Sequence, residues 1–189
     1  MNYRRSLFFL LILSIAVTLL TACATVSAFD PSLPSVIISK ASDDDIKAYG
    51  RNFDENPYLE PRTLIRGKLN EFFIVKIQFN LPSESKISII ADATAKDGKE
   101  AARAYDTQGF IAFWESNIFK DEDNDAQKQR KYTSIERSCV PSMNFSQRAG
   151  QNTLYLPIVG ANPIPRPAKI YIQVATSSGE SVVFNYLLE

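Results

Sequence analysis

Apolar and polar residues alternate with period two over most of this chain. In EFFIVKIQFNL, Glu71 to Leu81, the positions Phe73, Val75, Ile77, Phe79 and Leu81 fall on one face of an extended strand, and Lys76, Gln78 and Asn80 on the other. KISIIADAT groups Ile87, Ile89, Ala91 and Ala93, and KIYIQVAT groups Ile170, Ile172 and Val174 against Tyr171 and Gln173. SVIIS, TLIRGKL, GFIAFWES, NTLYLPI and VVFNYLL are further strand candidates, rich in β-branched and aromatic residues. TSSGES, Thr176 to Ser181, reads as a hairpin turn between the last two strands.

One segment has a helical start and stop. In ASDDDIKAYG, Ser42 is a cap, Asp45 follows three residues later and Gly50 suits the end of the helix. The run Asp43 to Asp45 is thereby explained as negative charge at the positive end of a helix dipole, without a metal. Seven or more short strands with little helix predict an all-β chain: an antiparallel β-sandwich, immunoglobulin-like or related, with one short N-terminal helix. Pro163, Pro165 and Pro167 in ANPIPRPAK predict an extended edge connection, since proline cannot donate within a central strand.

The N-terminus breaks this pattern. After Arg4 and Arg5 comes a predominantly apolar stretch of 14 residues, Leu7 to Leu20, and then small residues, the layout of a secretory signal. A membrane-spanning helix needs roughly 17 to 25 residues, so a permanent span is the weaker reading. Leu20-Thr21-Ala22-Cys23 resembles the lipobox of bacterial lipoproteins, in which a cysteine thiolate is alkylated by a diacylglycerol and the chain is cut before it. The resemblance is confined to residues 1–24 and concerns location alone. It implies that Cys23 is the lipidated mature N-terminus and that the partner there is the lipid bilayer. Two or more acyl chains anchor stably where one does not. Ala24 in place of an inner-membrane retention aspartate favours the outer membrane. Cleavage after Ala28, an uncleaved anchor, or twin-arginine export through Arg4-Arg5 are the competing readings.

The chain therefore divides into a signal peptide, residues 1–22, a lipidated cysteine and tether, residues 23–34, and a single sandwich domain, residues 35–189. Ala24 to Pro34 has no periodicity, and its 11 residues reach at most about 40 Å at ~3.5 Å per residue. Removing 22 of 189 residues leaves 167, enough for one core. It also takes Arg4 and Arg5 from the 21 basic residues, leaving 19 against 21 acidic. A near-neutral domain argues against nucleic acid, whose recognition rests on a basic patch.

Chemistry is sparse. The chain has no histidine, which removes Ser-His-Asp and Cys-His catalysis and histidine metal sites, and no phosphate loop or dinucleotide fingerprint. No cofactor is implied. Once Cys23 is acylated, Cys139 is the remaining cysteine, and its place in SIERSCVPS reads as a small buried residue, with a reactive thiol as the sharper alternative. In KDEDNDAQKQRK, Asp121, Asp123 and Asp125 have the spacing that offers oxygens to calcium. Ala126 and Tyr132 stand where an EF-hand requires glycine and glutamate, so the favoured reading is a solvated loop facing Lys128, Arg130 and Lys131. Trp114, with Phe110 and Ala112 on one face of its strand and Ile111 and Phe113 on the other, reads as part of a central strand buried on both sides, with a sugar-stacking platform as the alternative. The expected function is that of a lipid-anchored cell-envelope protein, non-enzymatic, binding another envelope protein or serving structurally. The alternative is an envelope glycan-binding module or one that hydrolyses glycans with paired carboxylates.

Overall fold

Two four-stranded antiparallel sheets face each other, and one of them carries a second hydrophobic layer on its outer side. The computed structural model describes residues 32–51, 56–59, 70–92, 102–117, 125–161, 168–177 and 179–188. All of them belong to one compact unit, Ser32–Glu189. The TLIRGKL strand candidate and the proline connection at Pro163, Pro165 and Pro167 lie outside the described residues.

The elements run in the order β1 Ser35–Lys40, α1 Asp43–Lys47, β2 Asn70–Leu81, β3 Ser85–Asp92, β4 Ala102–Ala104, α2 Thr107–Asn117, α3 Asp125–Ser138, β5 Asn144–Gln147, β6 Gly150–Ala161, β7 Ala168–Thr176 and β8 Ser181–Leu188. The first sheet has the order β1-β2-β6-β4 and the second β5-β3-β7-β8. The antiparallel sandwich expected from the alternation is therefore the fold.

Between the sheets lie Phe73, Val75, Ile77, Phe79 and Leu81 of β2, Ile87 and Ile89 of β3, Leu154, Leu156 and Ile158 of β6, and Ile170, Ile172 and Val174 of β7. These are the period-two positions, and burying each contributes on the order of 1.5–3 kcal/mol. Successive strands β7 and β8 pair from Ala168↔Leu188 to Ala175↔Ser181. Their turn closes with the Thr176 N–H donating to the Glu180 carbonyl at 2.9 Å and with Gly179 at φ 88°, a conformation that favours glycine.

Some of the outward positions of β2 and β6 are buried too. Ile74, Tyr155 and Val159 point out of the sandwich into a second cluster with Tyr58, Phe110, Phe113, Trp114, Ile135 and Cys139. Residues 154–160 of β6 are consequently buried without interruption. Within that run, the Pro157 carbonyl accepts from Tyr105 N–H at 2.9 Å, just past the end of β4 at Ala104. An antiparallel residue directs its N–H and C=O to the same neighbour, so the donor that proline lacks faces a point where the ladder has already ended.

Two helices build this second layer, and they correct the reading of GFIAFWES as a strand. Phe110, Phe113 and Trp114 stand at i, i+3 and i+4 and share one helix face, while Ala112 is exposed. Asp106 decides the matter locally, because its Oδ1 accepts the Gly109 N–H at 2.8 Å and caps the first turn of α2. The structure also corrects the acidic loop reading from Asp125 onward, where α3 begins, running to Ser138. Its buried residues Lys131, Ile135 and Ser138 follow one stripe. Lys131 lays its ammonium 4.1 Å from the centroid of the Trp114 ring, a cation-π contact within the layer. Domain-wide, the helical content thus exceeds the single N-terminal helix expected.

That N-terminal helix, α1, has the expected capping box: Ser42 Oγ accepts the Asp45 N–H at 3.1 Å, and Asp45 Oδ2 accepts the Ser42 N–H at 3.0 Å. Asp45 also binds Lys76 of β2 at 2.6 Å, docking α1 on the outer face of the first sheet. Asn56, fully buried, donates to the carbonyls of Ile46 at 2.7 Å and Gly50 at 2.8 Å and accepts the Tyr58 N–H at 2.9 Å. One amide side chain thereby satisfies the end of α1 and fixes Tyr58 against the ring of Phe110, 5.9 Å away.

Candidate functional site

The two outer faces of the sandwich differ. The helical layer covers the first sheet over Ile74, Tyr155 and Val159 and leaves Ile37 of its edge strand β1 59% exposed, whereas the second sheet presents its outward residues to solvent. Alternation along β3, β5, β7 and β8 builds that exposed face row by row. One row holds Ser146, Lys86, Ala175 and Ser181, the next Asn144, Ser88, Gln173 and Val183, and the third Ile90, Tyr171 and Asn185, followed by Lys169 beside Leu187.

The face has two halves. At one end the side chains are polar and tie to each other, with Ser88 Oγ donating to Asn144 Oδ1 at 2.8 Å and Gln173 Nε2 donating to Ser181 Oγ at 2.8 Å. A shallow groove of about 550 Å³ runs there, lined by Lys86, Ser88, Asn144, Ser146, Gln173 and Ala175. Ile90 of β3, 61% exposed, lies beside Tyr171 of β7, and on β8 Val183, 58% exposed, and Leu187, 46%, lie in the rows before and after Tyr171. Large apolar side chains on β3 and β8, on either side of Tyr171 of β7, mark a surface that gains by being covered. Lys86 stands in the first of these rows, and Lys169 in the last, in register with Asp92 of β3.

The residues singled out in the sequence are not brought together. Cys23, Asp121 and Asp123 lie outside the described residues, and Asp125 is exposed at the start of α3. Trp114 is fully buried beneath α3, which rules it out as a sugar platform. Cys139 is 2% exposed, and burial pushes its thiol up to about 12, so it is a packed, protonated side chain at neutral pH. The buried reading of Cys139 therefore holds.

The described carboxylates with resolved partners serve the fold. Asp106 caps α2, Glu115 accepts from the Tyr132 hydroxyl at 2.9 Å, and Asp45 is held down to about 2, chiefly by Lys76 and then by Ser42. Burial raises the Tyr132 phenol to about 12, with the Glu115 hydrogen bond adding to it. In the helical layer the Tyr58 hydroxyl donates to Ser138 Oγ at 2.7 Å, and Ser138 Oγ donates to the Ser134 carbonyl at 2.6 Å. Burial raises both Tyr58 and Tyr155 above the ordinary phenol value. These groups are locked rather than poised for proton transfer.

Two further grooves flank the helices. One of about 510 Å³ is lined by Tyr49, Ala126, Gln129, Arg130, Thr133 and Ser134. The other, about 390 Å³, includes Arg103, Asp106, Gly109, Phe113, Ser116 and Met143.

The exposed face of the second sheet was missed in the sequence because Ile90, Val183 and Leu187 sit in continuous apolar runs, SII, SVVF and YLL. Alternation shows that two faces exist but not which of them is covered. No family model and no curated protein matches the chain. Among solved structures the chain is similar to an FixG-related protein from Vibrio parahaemolyticus, at 9% identity, over 84% of this chain and 95% of that one, with a TM-score of 0.33.

Proposed function

We propose that this protein is a lipid-anchored component of the bacterial cell envelope, held by acylated Cys23 and favouring the outer membrane, that binds another envelope protein without catalysing a reaction. The anchor rests on the lipobox Leu20-Thr21-Ala22-Cys23 behind its apolar run. The binding role rests on the uncovered face of the second sheet, with Ile90, Tyr171, Val183 and Leu187 on it. A domain that invests a helical layer in covering one sheet and leaves apolar residues on the other has a surface suited to a partner.

Two measurements test the two parts. Labelled palmitate enters the wild type and is absent from Cys23→Ala; equal labelling of both sinks the anchor. After reversible crosslinking in native membranes, the partner that co-purifies with the wild type is lost from Ile90→Lys/Val183→Lys while the melting temperature stays within about 2 °C. Undiminished recovery of the same partner by that variant contradicts binding through this face.

A further inference from the structure

Each sheet has two edges, and three of the four described edge strands carry a feature that limits pairing with another chain. β4 has three residues and includes Arg103, β5 has four, and β1 ends in Lys40. β8 differs. Its eight residues, SVVFNYLL, contain no charge, no proline and no glycine. Its ladder with β7 is continuous over eight pairs without a bulge, and among the described residues it pairs on that side only, β1 of the first sheet lying close to it without pairing. Edge strands of soluble domains are ordinarily protected by shortness, charge, proline or a bulge, because a regular edge offers unpaired N–H and C=O groups to any compatible strand.

We propose that β8 pairs antiparallel with β8 of a second copy of this chain, across a two-fold axis at Asn185, joining the two second sheets into one eight-stranded sheet. The strand's own sequence selects this occupant. A two-fold axis perpendicular to the sheet keeps outward residues opposite outward residues and so restricts the register to residue numbers with an even sum. With the axis at Asn185, Val183 lies opposite Leu187 on the outer face and Phe184 opposite Tyr186 on the inner face, while the Asn185 amides meet each other. Every pair then joins like with like. Moving the axis to Phe184 instead sets Val183 against Asn185 and Ser181 against Leu187, which mixes polar with apolar.

Both faces gain in the Asn185 register. Val183 and Leu187, each about half exposed, cover one another, and the half-buried rings of Phe184 and Tyr186, packed against the core from one side, gain a neighbour on the other. A strand without charge has no like-charge repulsion to overcome when it meets itself. The inference goes beyond the proposed function and stands without it, since it needs neither the anchor nor an envelope partner.

The test uses the full chain, expressed with its signal, extracted in mild detergent and oxidised with copper phenanthroline. Asn185→Cys forms a disulfide-linked dimer, because equivalent cysteines meet at the axis. Val183→Cys alone and Leu187→Cys alone stay at the wild-type background, while Val183→Cys/Leu187→Cys crosslinks. Failure of Asn185→Cys to crosslink, or equal crosslinking by Val183→Cys alone, overturns the proposal. A second set guards against misfolding and reads the dissociation constant by analytical ultracentrifugation. Val183→Lys/Leu187→Lys sets lysine against lysine twice and weakens the dimer roughly tenfold, and Val183→Lys/Leu187→Glu, which pairs opposite charges across the same axis, restores it. A wild type that stays monomeric up to 100 µM, an order-of-magnitude ceiling for a specific contact, also overturns it. Both readouts follow the mass of self-association, so a missing envelope partner does not register as a failed dimer.

Discussion

Replacing Asn56 with alanine removes three hydrogen bonds from a site that water does not reach. The groups left behind are unequal. The Ile46 carbonyl keeps a donor in the Tyr49 N–H at 3.1 Å, so its loss is the smallest. The Gly50 carbonyl and the buried Tyr58 N–H each lose the partner that Asn56 supplied, at about 1–3 kcal/mol apiece. Taking about 1.5 kcal/mol for each gives about 3 kcal/mol. For a domain of this size 1 kcal/mol moves the melting temperature by roughly 2–4 °C, so the expected fall is about 6–12 °C. Asn56→Asp keeps the acceptor for Tyr58 but turns an oxygen toward two carbonyls, and it falls at least as far at neutral pH. Asp44→Asn, on the exposed side of α1, is the control and changes stability by less than about 0.5 kcal/mol. Thermal unfolding followed by circular dichroism and by Trp114 fluorescence measures all three. A fall below about 2 °C for Asn56→Ala would refute the idea that this amide holds the end of α1 to the helical layer.

Three other outcomes follow from the same structure. Asp45 is held at about 2 by Lys76 and Ser42 against an ordinary 3.8, so its contribution is present above pH 4 and disappears as pH falls through 2. The stability gap between the wild type and Asp45→Asn, about 1 kcal/mol at neutral pH, closes over that window in acid titrations of unfolding; a gap independent of pH contradicts the ion pair. In Cys23→Ala, Cys139 stays unreactive toward Ellman's reagent at pH 8 and releases one equivalent in denaturant, whereas native reaction at the rate of a free thiol would place it at the surface. Trp114, the single tryptophan, emits in the blue and resists acrylamide, and its red shift coincides with loss of the far-ultraviolet strand signal. A tryptophan transition well below the strand transition would mean that the helical layer melts alone.

What was legible in the sequence depended on whether one face of an element was apolar. β2, β3 and β7 carry their inward residues at alternate positions, and α1 announces itself through Ser42, Asp45 and Gly50. α2 was misread because Phe110, Ile111, Phe113 and Trp114 satisfy a doubly buried strand as well as a helix stripe, and the signal that separates them, Asp106 capping Gly109, is a single side chain. α3 was hidden for the opposite reason. Its buried stripe is Lys131, Ile135 and Ser138, two polar residues in three, made acceptable by Trp114 and Tyr58, which come from distant parts of the chain. The exposed face of the second sheet was illegible for a similar cause. Ile90 and Val183 resemble core residues until the helices are seen to cover the other sheet.

That asymmetry between the two outer faces carries the proposed binding surface. A photocrosslinking amino acid placed at Ile90 in the full chain, in native membranes, reads the second sheet, and the same group at Glu136 on the exposed side of α3 reads the helical face. Irradiation is predicted to yield a discrete heavier adduct with one envelope protein from Ile90 and none from Glu136. Adducts from Glu136 alone, or the same diffuse smear from both positions, would contradict the assignment of the binding surface to the second sheet.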